Sequence, residues 1–261
     1  MKEKLKEITN FLRSKGMKKR TISTYIYIIN RITKDIGYDF KEKDLENYLV
    51  KLNLNPSSYN LYRSVINFYT EKELGYKITF SKAKKNNFLP TEVTKEEFNT
   101  ILNTIPSNKH KIGFRLMYES GLRVDEVVNT KKHDLKLDDL TIRVRGKGNK
   151  DRYTILNPKL AEDIKEFMKS TYKDNPYLFQ NKKTHLTTKT FQTRIKKAII
   201  DAKITKKISC HSLRHGFAIN MVNNGIDIDI LKKLLGHSSI RTTQIYLKCR
   251  TIDLTKIAMN R

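Results

Sequence analysis

Residues 211–246 read HSLRHGFAINMVNNGIDIDILKKLLGHSSIRTTQIY, and the interpretation of the whole chain turns on this stretch. Within it sit His211 and His237, two of its three imidazoles, with a fixed cation, Arg214, and a phenol, Tyr246. His211 and Arg214 are three apart and share one helical face. Gly236 is placed to end one helix and Ser238 to cap the next, which sets His237 in the corner between them. Tyr246 then falls about two turns along the last helix. A phenol has an unperturbed pKa of about 10, so ionising it at pH 7 costs roughly 4 kcal/mol unless positive charge stands close. Cations gathered beside a phenol point to a tyrosine used as a nucleophile on something anionic.

The rest of the chain fits an anionic target. It has 261 residues, enough for one large or two ordinary domains, and a formal charge of +26 from 53 Lys and Arg against 27 Asp and Glu. The first 88 residues carry 19 basic and 9 acidic side chains and the remainder 34 and 18, so the excess is spread along the chain. Such a balance fits a polyanion partner, nucleic acid above all; a ribosome-associated protein or adaptation to a hot or salty cell would share it. Cys210 and Cys249 are too few for a disulfide framework and lack metal-ligand spacing; they read as free thiols of a reducing compartment, with Cys210 a small buried residue. No apolar run approaches membrane length and the N-terminus is charged where a signal peptide has its apolar core. The expectation is a cytoplasmic protein with no membrane partner.

Periodicity divides the chain. Helices are expected over residues 2–13 (Leu5, Ile8, Phe11 and Leu12 on one face), from Thr21 or Ser23 to Asp35 (Ile22, Tyr25, Ile29, Ile32), over about 44–52, and from Pro56-Ser57-Ser58 to before Gly75 with Leu61, Val65, Ile66 and Tyr69 inward. Residues 76–90 lack periodicity, carry Lys82, Lys84 and Lys85, and read as an exposed basic linker. The limits expected are a helical domain over 1–85, a linker over 86–93 and a second domain over 94–261. Thr94 with Glu97 is a capping box; a helix over about 109–119 is interrupted by Gly121, and Arg123 heads a short helix with Glu126 three residues on. Ile142 and Val144, then Tyr153 and Ile155, alternate on either side of a glycine-rich turn, a β-hairpin signal. Further helices are expected over about 158–170, 188–202, 211–223 and 227–235. Lys18, Lys19 and Arg20, between the first two helices, are candidate phosphate contacts, a solvated basic loop being the alternative.

Arg123, Lys147, His211, Arg214, His237 and Tyr246 gain weight from their order and spacing. At this point the chain resembles the tyrosine recombinase (phage integrase) family over about residues 90–250. The first box of that family looks like Ser120-Gly121-Leu122-Arg123-Val124-Asp125-Glu126, and its hairpin lysine box like Arg145 to Arg152 around Lys147. The second box looks like His211-Ser212-Leu213-Arg214-His215 and the third like Leu234-Leu235-Gly236-His237-Ser238, with the tyrosine at Tyr246. Ser120 stands where threonine is common and Val127 where leucine is; neither touches the chemistry.

The resemblance implies a mainly α (α+β) architecture: an N-terminal helical core-binding (SAM-like) domain, then a catalytic domain with a small antiparallel sheet. It implies a site-specific recombinase that cuts and rejoins double-stranded DNA through a 3′-phosphotyrosyl bond with no cofactor, as a homotetramer on paired sites. The size fits an Xer-like enzyme for chromosome dimers, or a small element integrase. The chemistry of the residues agrees. Arg123 and Arg214 offer planar forks for phosphate, and His211 and His237 can donate to its oxygens or help take the tyrosine proton. Lys147 can protonate the leaving oxygen, with Lys150 in reserve; Glu126 is expected to orient an arginine or His215, and His215 to be structural. Lys84, Lys85 and Lys150 join the candidate DNA contacts. Residues 252–258 can form a short amphipathic tail helix that, in the family, packs on a neighbouring protomer. Three rival readings follow. His211 and His215 have zinc-helix spacing, but Ser212 stands where a metallohydrolase needs its glutamate. A type IB topoisomerase runs the same chemistry, and a degenerate member would bind DNA without cutting it.

Overall fold

The computed structural model describes residues 2–38, 40–78, 80–84, 89–146, 151–182 and 184–249. Lys85, Lys147, Lys150 and the 252–258 tail lie outside the described residues. The chain divides into two compact units, Met1–Asn87 and Phe88–Arg261.

Among the described residues the first unit has four α-helices, α1 (Lys2–Ser14), α2 (Lys19–Ile36), α3 (Glu42–Lys51) and α4 (Pro56–Tyr69), the last running into a π-helical turn, Thr70–Leu74. Helix α2 starts earlier than Thr21, with Lys18 as its uncapped N-cap. Pro56 opens α4 at its first position, where its missing N–H is no loss, and the Asn55 side chain accepts from the backbone of Ser57 and Ser58. Ile8, Leu12, Ile28, Ile29, Leu45 and Val65 meet in the core. Leu61 is not inward: it is exposed and Tyr62 takes the buried position, because the true stripe of α4 runs through 62, 65, 66 and 69. Phe11 also remains exposed.

Residues 76–84 are not the exposed linker expected. Ile78 and Phe80 are buried in the first core. Asn60 accepts from the Ala83 backbone N–H at 3.1 Å and donates to its carbonyl at 2.9 Å, standing in for a β-ladder partner. Two buried apolar side chains outweigh the basic residues around them. Val93, placed in the linker by sequence, is buried in the second core.

The second unit contains α5 (Lys95–Asn103), α6 (Asn108–Glu119), α7 (Val124–Val128), a 3₁₀ turn (Lys132–Asp134), β1 (Leu135–Lys136), β2 (Thr141–Val144), β3 (Arg152–Ile155), α8 (Pro158–Lys169), α9 (Thr188–Asp201), α10 (Cys210–Asn223), α11 (Ile228–Leu235), α12 (Arg241–Gln244) and a 3₁₀ turn, Ile245–Cys249. The capping box of α5 is present both ways, Thr94 to Glu97 and back. Helix α10 packs along α6, and α5, α8 and α9 close the core around Phe114, Phe179 and Phe191. The sheet is antiparallel in the order β1-β2-β3, and the two-residue β1 had no sequence signal. Its register sets Ile142 opposite Thr154 and Val144 opposite Arg152. Directly opposed residues share a face, so Thr154 and Arg152 point inward and Tyr153 and Ile155 face solvent, the reverse of the expected alternation.

Candidate active site

Arg123 enters the site because α6 must turn sharply into α7. Gly121 makes that turn at φ +70°, and a Cβ there would lie 2.5 Å from the Phe217 ring. Arg123 is the N-cap of α7, and Glu126, three residues on, accepts its backbone N–H at 2.7 Å and its Nη1 at 2.9 Å. Thr154 of β3 donates to the Ser120 carbonyl at 2.9 Å and fixes the start of this turn.

Arg214 comes from the first turns of α10 and is 1 % exposed, the largest fully buried side chain among the described residues. Its guanidinium donates to the Gly121 carbonyl at 2.6 Å, the Leu235 carbonyl at 2.5 Å and Glu126 Oε2 at 3.4 Å. Its Nε is buried without a partner. Burial and the charge of Arg123 push its pKa down to about 9 against the pull of Glu126, so it stays charged at pH 7.

Gly236 ends α11 in the left-handed conformation and delivers His237 to the corner, as its sequence position implied. Ser238 does not cap the next helix: α12 has Ile240 at its N-cap with no side-chain bond. His237 Nε2 lies 3.3 Å from Arg214 Nη2. A guanidinium can only donate, so Nε2 accepts, and Nδ1 carries the proton and donates to Thr243 Oγ1 at 3.0 Å. Burial, then Arg214, Arg123 and Arg152, push this imidazole down to about 4.

Tyr246 sits in the 3₁₀ turn after α12, not two turns along one helix, and is buried against α10. Its hydroxyl meets His215 Nδ1 at 2.9 Å. His215 is thus in direct contact with the phenol, where sequence left it a structural residue at the base of the site. Burial, His211 and Arg214 push His215 down to about 4, so it is neutral, and its tautomer sets whether Nδ1 accepts from the phenol or donates to it. Burial raises the Tyr246 pKa, while Arg214 and Arg123 pull it the other way. His211 lies at the open edge with its ring 4.5 Å from that of His215; burial, Arg214 and Arg123 lower its pKa.

Glu126 organises the group. It orients arginines and not His215, and it holds a third guanidinium that sequence did not single out: Arg152 donates from Nη1 to Oε1 and from Nη2 to Oε2, both at 2.8 Å. Burial alone would raise the Glu126 pKa, but the hydrogen bonds and charge of Arg152, with Arg123 and Arg214, hold it below the usual carboxylate range. Sequence alternation, which grouped Tyr153 with Ile155, argued against Arg152; the pairing opposite buried Val144 turns it inward. With neutral imidazoles, three guanidiniums and one carboxylate leave a local charge near +2. An arrangement of this kind receives an anion and steadies added negative charge on it. Among the described residues, no group of three His, Cys, Asp or Glu side chains is placed to hold a metal ion.

Lys18, Lys19 and Arg20 lie in the first unit, exposed at the N-terminus of α2, and Lys84 is exposed at the end of the segment packed on that unit.

The chain belongs to the phage integrase family: the family pattern matches residues 91–251, and the pattern for the phage integrase N-terminal SAM-like domain matches residues 5–79. Tyrosine recombinase XerA of Pyrococcus horikoshii is 33% identical over 261 residues, covering 96% of this chain and 90% of the relative. XerA of Thermococcus onnurineus is 35% identical over 268 residues, covering 97% and 93%. The crystal structure of XerA recombinase matches with a TM-score of 0.58 at 25% identity, covering 98% of this chain and 97% of that one. The post-cleavage complex of XerH recombinase on palindromic difH has the same fold, with a TM-score of 0.72 at 24% identity over 91% of this chain and 78% of that one. The chain is a tyrosine recombinase of Xer-like type, an enzyme of site-specific DNA recombination. No described helix is long and apolar enough to cross a membrane.

Proposed function

We propose that Tyr246 is the nucleophile and that Arg123, Arg214 and His211 receive the scissile phosphate of double-stranded DNA, with His237 joining them once its Nε2 carries a proton in place of accepting from Arg214. The observation that carries this is one buried carboxylate, Glu126, gathering guanidiniums from three elements beside a phenol hydrogen-bonded to a neutral imidazole. Tyr246 Oη attacks phosphorus and the bond to the 5′-oxygen breaks. The 3′-phosphotyrosyl bond that forms keeps the phosphodiester's energy, and the 5′-hydroxyl of the partner strand later reverses the step. Arg123, whose side chain is 39 % exposed, meets the nonbridging oxygens from the open side, with Arg214 below. His215 is the nearest base to the phenol. Lys147 is assigned the proton for the leaving 5′-oxygen, with Lys150 in reserve.

Contacts away from the reacting phosphate follow from the charge. Lys18, Lys19 and Arg20 stand at a helix N-terminus, where backbone N–H groups and cations suit a backbone phosphate. In the second unit Lys189, Arg194 and Lys197 line a shallow cleft with Thr187 and Thr190 at the start of α9, and fit the same use. Lys84, Lys85 and Lys150 are assigned to DNA contact as well. Four copies on two paired sites, acting on chromosome dimers, complete the reading; integration of a small element is the close alternative.

The test is a nicked suicide duplex bearing the site selected from random sequence, resolved on a denaturing gel. The unmodified chain is expected to form a covalent adduct that Tyr246→Phe abolishes while binding persists. Binding with no adduct would turn the reading to a DNA-binding protein that does not cut. An adduct that survives in Tyr246→Phe would reassign the nucleophile.

A further inference from the structure

Arg152 opens β3 and its side chain is 9 % exposed. Every nitrogen of its guanidinium faces a protein acceptor. Nη1 and Nη2 clasp the two oxygens of Glu126, and Nε donates to the Leu234 carbonyl at 2.7 Å. The side chain therefore ties three elements together: β3, α7 and the last turn of α11. Its stem runs across Gly236, where a Cβ would lie 2.8 Å from Arg152 Cδ. Two residues on, on the same strand face, Thr154 holds Ser120. Strand β3 is thus fastened to both ends of the 120–126 segment that carries Arg123.

The geometry of the carboxylate gives this fastening a consequence. Glu126 accepts from the Arg123 backbone, Arg123 Nη1 and Arg214 Nη1 as well as from Arg152. Among the described residues Arg152 alone engages both oxygens through two guanidinium nitrogens, so its fork sets the plane of the carboxylate. That plane then sets where Arg123 and Arg214 direct their remaining N–H groups. Through Leu234, Arg152 also holds the end of α11 just ahead of the Gly236–His237 corner.

We infer that Arg152 is a positioning residue of strand cleavage, aligning Arg123 and Arg214 through Glu126 without touching the DNA. The inference rests on the proposed role of those two arginines at the scissile phosphate. A lysine at this position keeps the charge but loses the fork, so it tests alignment apart from electrostatics.

The experiment uses the full chain as unmodified protein, Arg152→Lys, Glu126→Gln and the double variant on the nicked suicide duplex. The rate of adduct formation at saturating DNA, the half-saturating DNA concentration and the melting temperature are measured for each. Arg152→Lys is expected to slow the saturating rate about 10- to 100-fold well below melting, as a displacement of order 1 Å at a reacting centre does, with half-saturation nearly unchanged and melting lowered less than by Glu126→Gln. If the effect runs through Glu126, the double variant is no slower than Glu126→Gln alone. A rate for Arg152→Lys within about threefold of the unmodified chain overturns the inference. So does slowing matched by weaker DNA binding, or slowing that vanishes well below the melting temperature, which marks a purely structural part, and so does multiplication of the two single effects. An unmodified chain that forms no adduct refutes the proposed function instead, a result distinct from all of these.

Discussion

Replacing Glu126 by glutamine removes one charge from the centre of the site and leaves its volume. The carboxylate accepts five hydrogen bonds: from Arg123 N at 2.7 Å and Nη1 at 2.9 Å, from Arg152 Nη1 and Nη2 at 2.8 Å each, and from Arg214 Nη1 at 3.4 Å. Glutamine offers one acceptor oxygen, and its amide nitrogen points donors at donors. Arg214 and Arg152, with side chains 1 % and 9 % exposed, are then left among like charges. Removing one partner from a buried ion pair costs about 3–5 kcal/mol, since the remaining charge stays desolvated. At about 2–4 °C per kcal/mol for a domain of this size, Glu126→Gln is expected to lower melting by roughly 6–20 °C. Urea denaturation followed by circular dichroism measures the free energy, and adduct formation well below melting measures the chemistry. A loss under about 1 kcal/mol would refute the reasoning, because the guanidiniums would then be held by something other than this carboxylate.

Acid should loosen the same region. His215 and His237 are held near 4 in the fold against 6.5 for the free side chain. As pH falls below about 6.5 the unfolded chain binds protons first, so stability complete above that value drains away towards pH 4, by about 1–2 kcal/mol for each imidazole once solvent screening of these half-buried rings is allowed for. A urea midpoint that stays flat between pH 7 and 5 would contradict this. In the core, Gly113→Ala sets a methyl 2.2 Å from Phe191 Cε1 and 3.4 Å from Phe179 Cε1, both rings fully buried. It should destabilise by about 1–3 kcal/mol in the same assay, and an unchanged midpoint would show that the rings move aside freely.

The sequence by itself determined what depends on neighbours a few residues apart. The Thr94–Glu97 box, the Pro56 start and the Gly236 stop are local hydrogen-bonding and backbone facts, legible in the order of residues. The spacing of Arg123, His211, Arg214, His237 and Tyr246 pointed to a phosphate-handling tyrosine for the same reason. Tertiary structure decided which of these touch. Glu126 meets Arg152 across 26 residues and Arg214 across 88, and no periodicity encodes such a pairing. Arg152 turns inward because of the register between β2 and β3, which a one-residue slip would reverse. His215 reaches the Tyr246 hydroxyl only because α10 and the final 3₁₀ turn pack together across 31 residues. Local sequence supplied the charges, and long-range packing fixed their partners, because a buried ion must find a counter-charge wherever the fold places one.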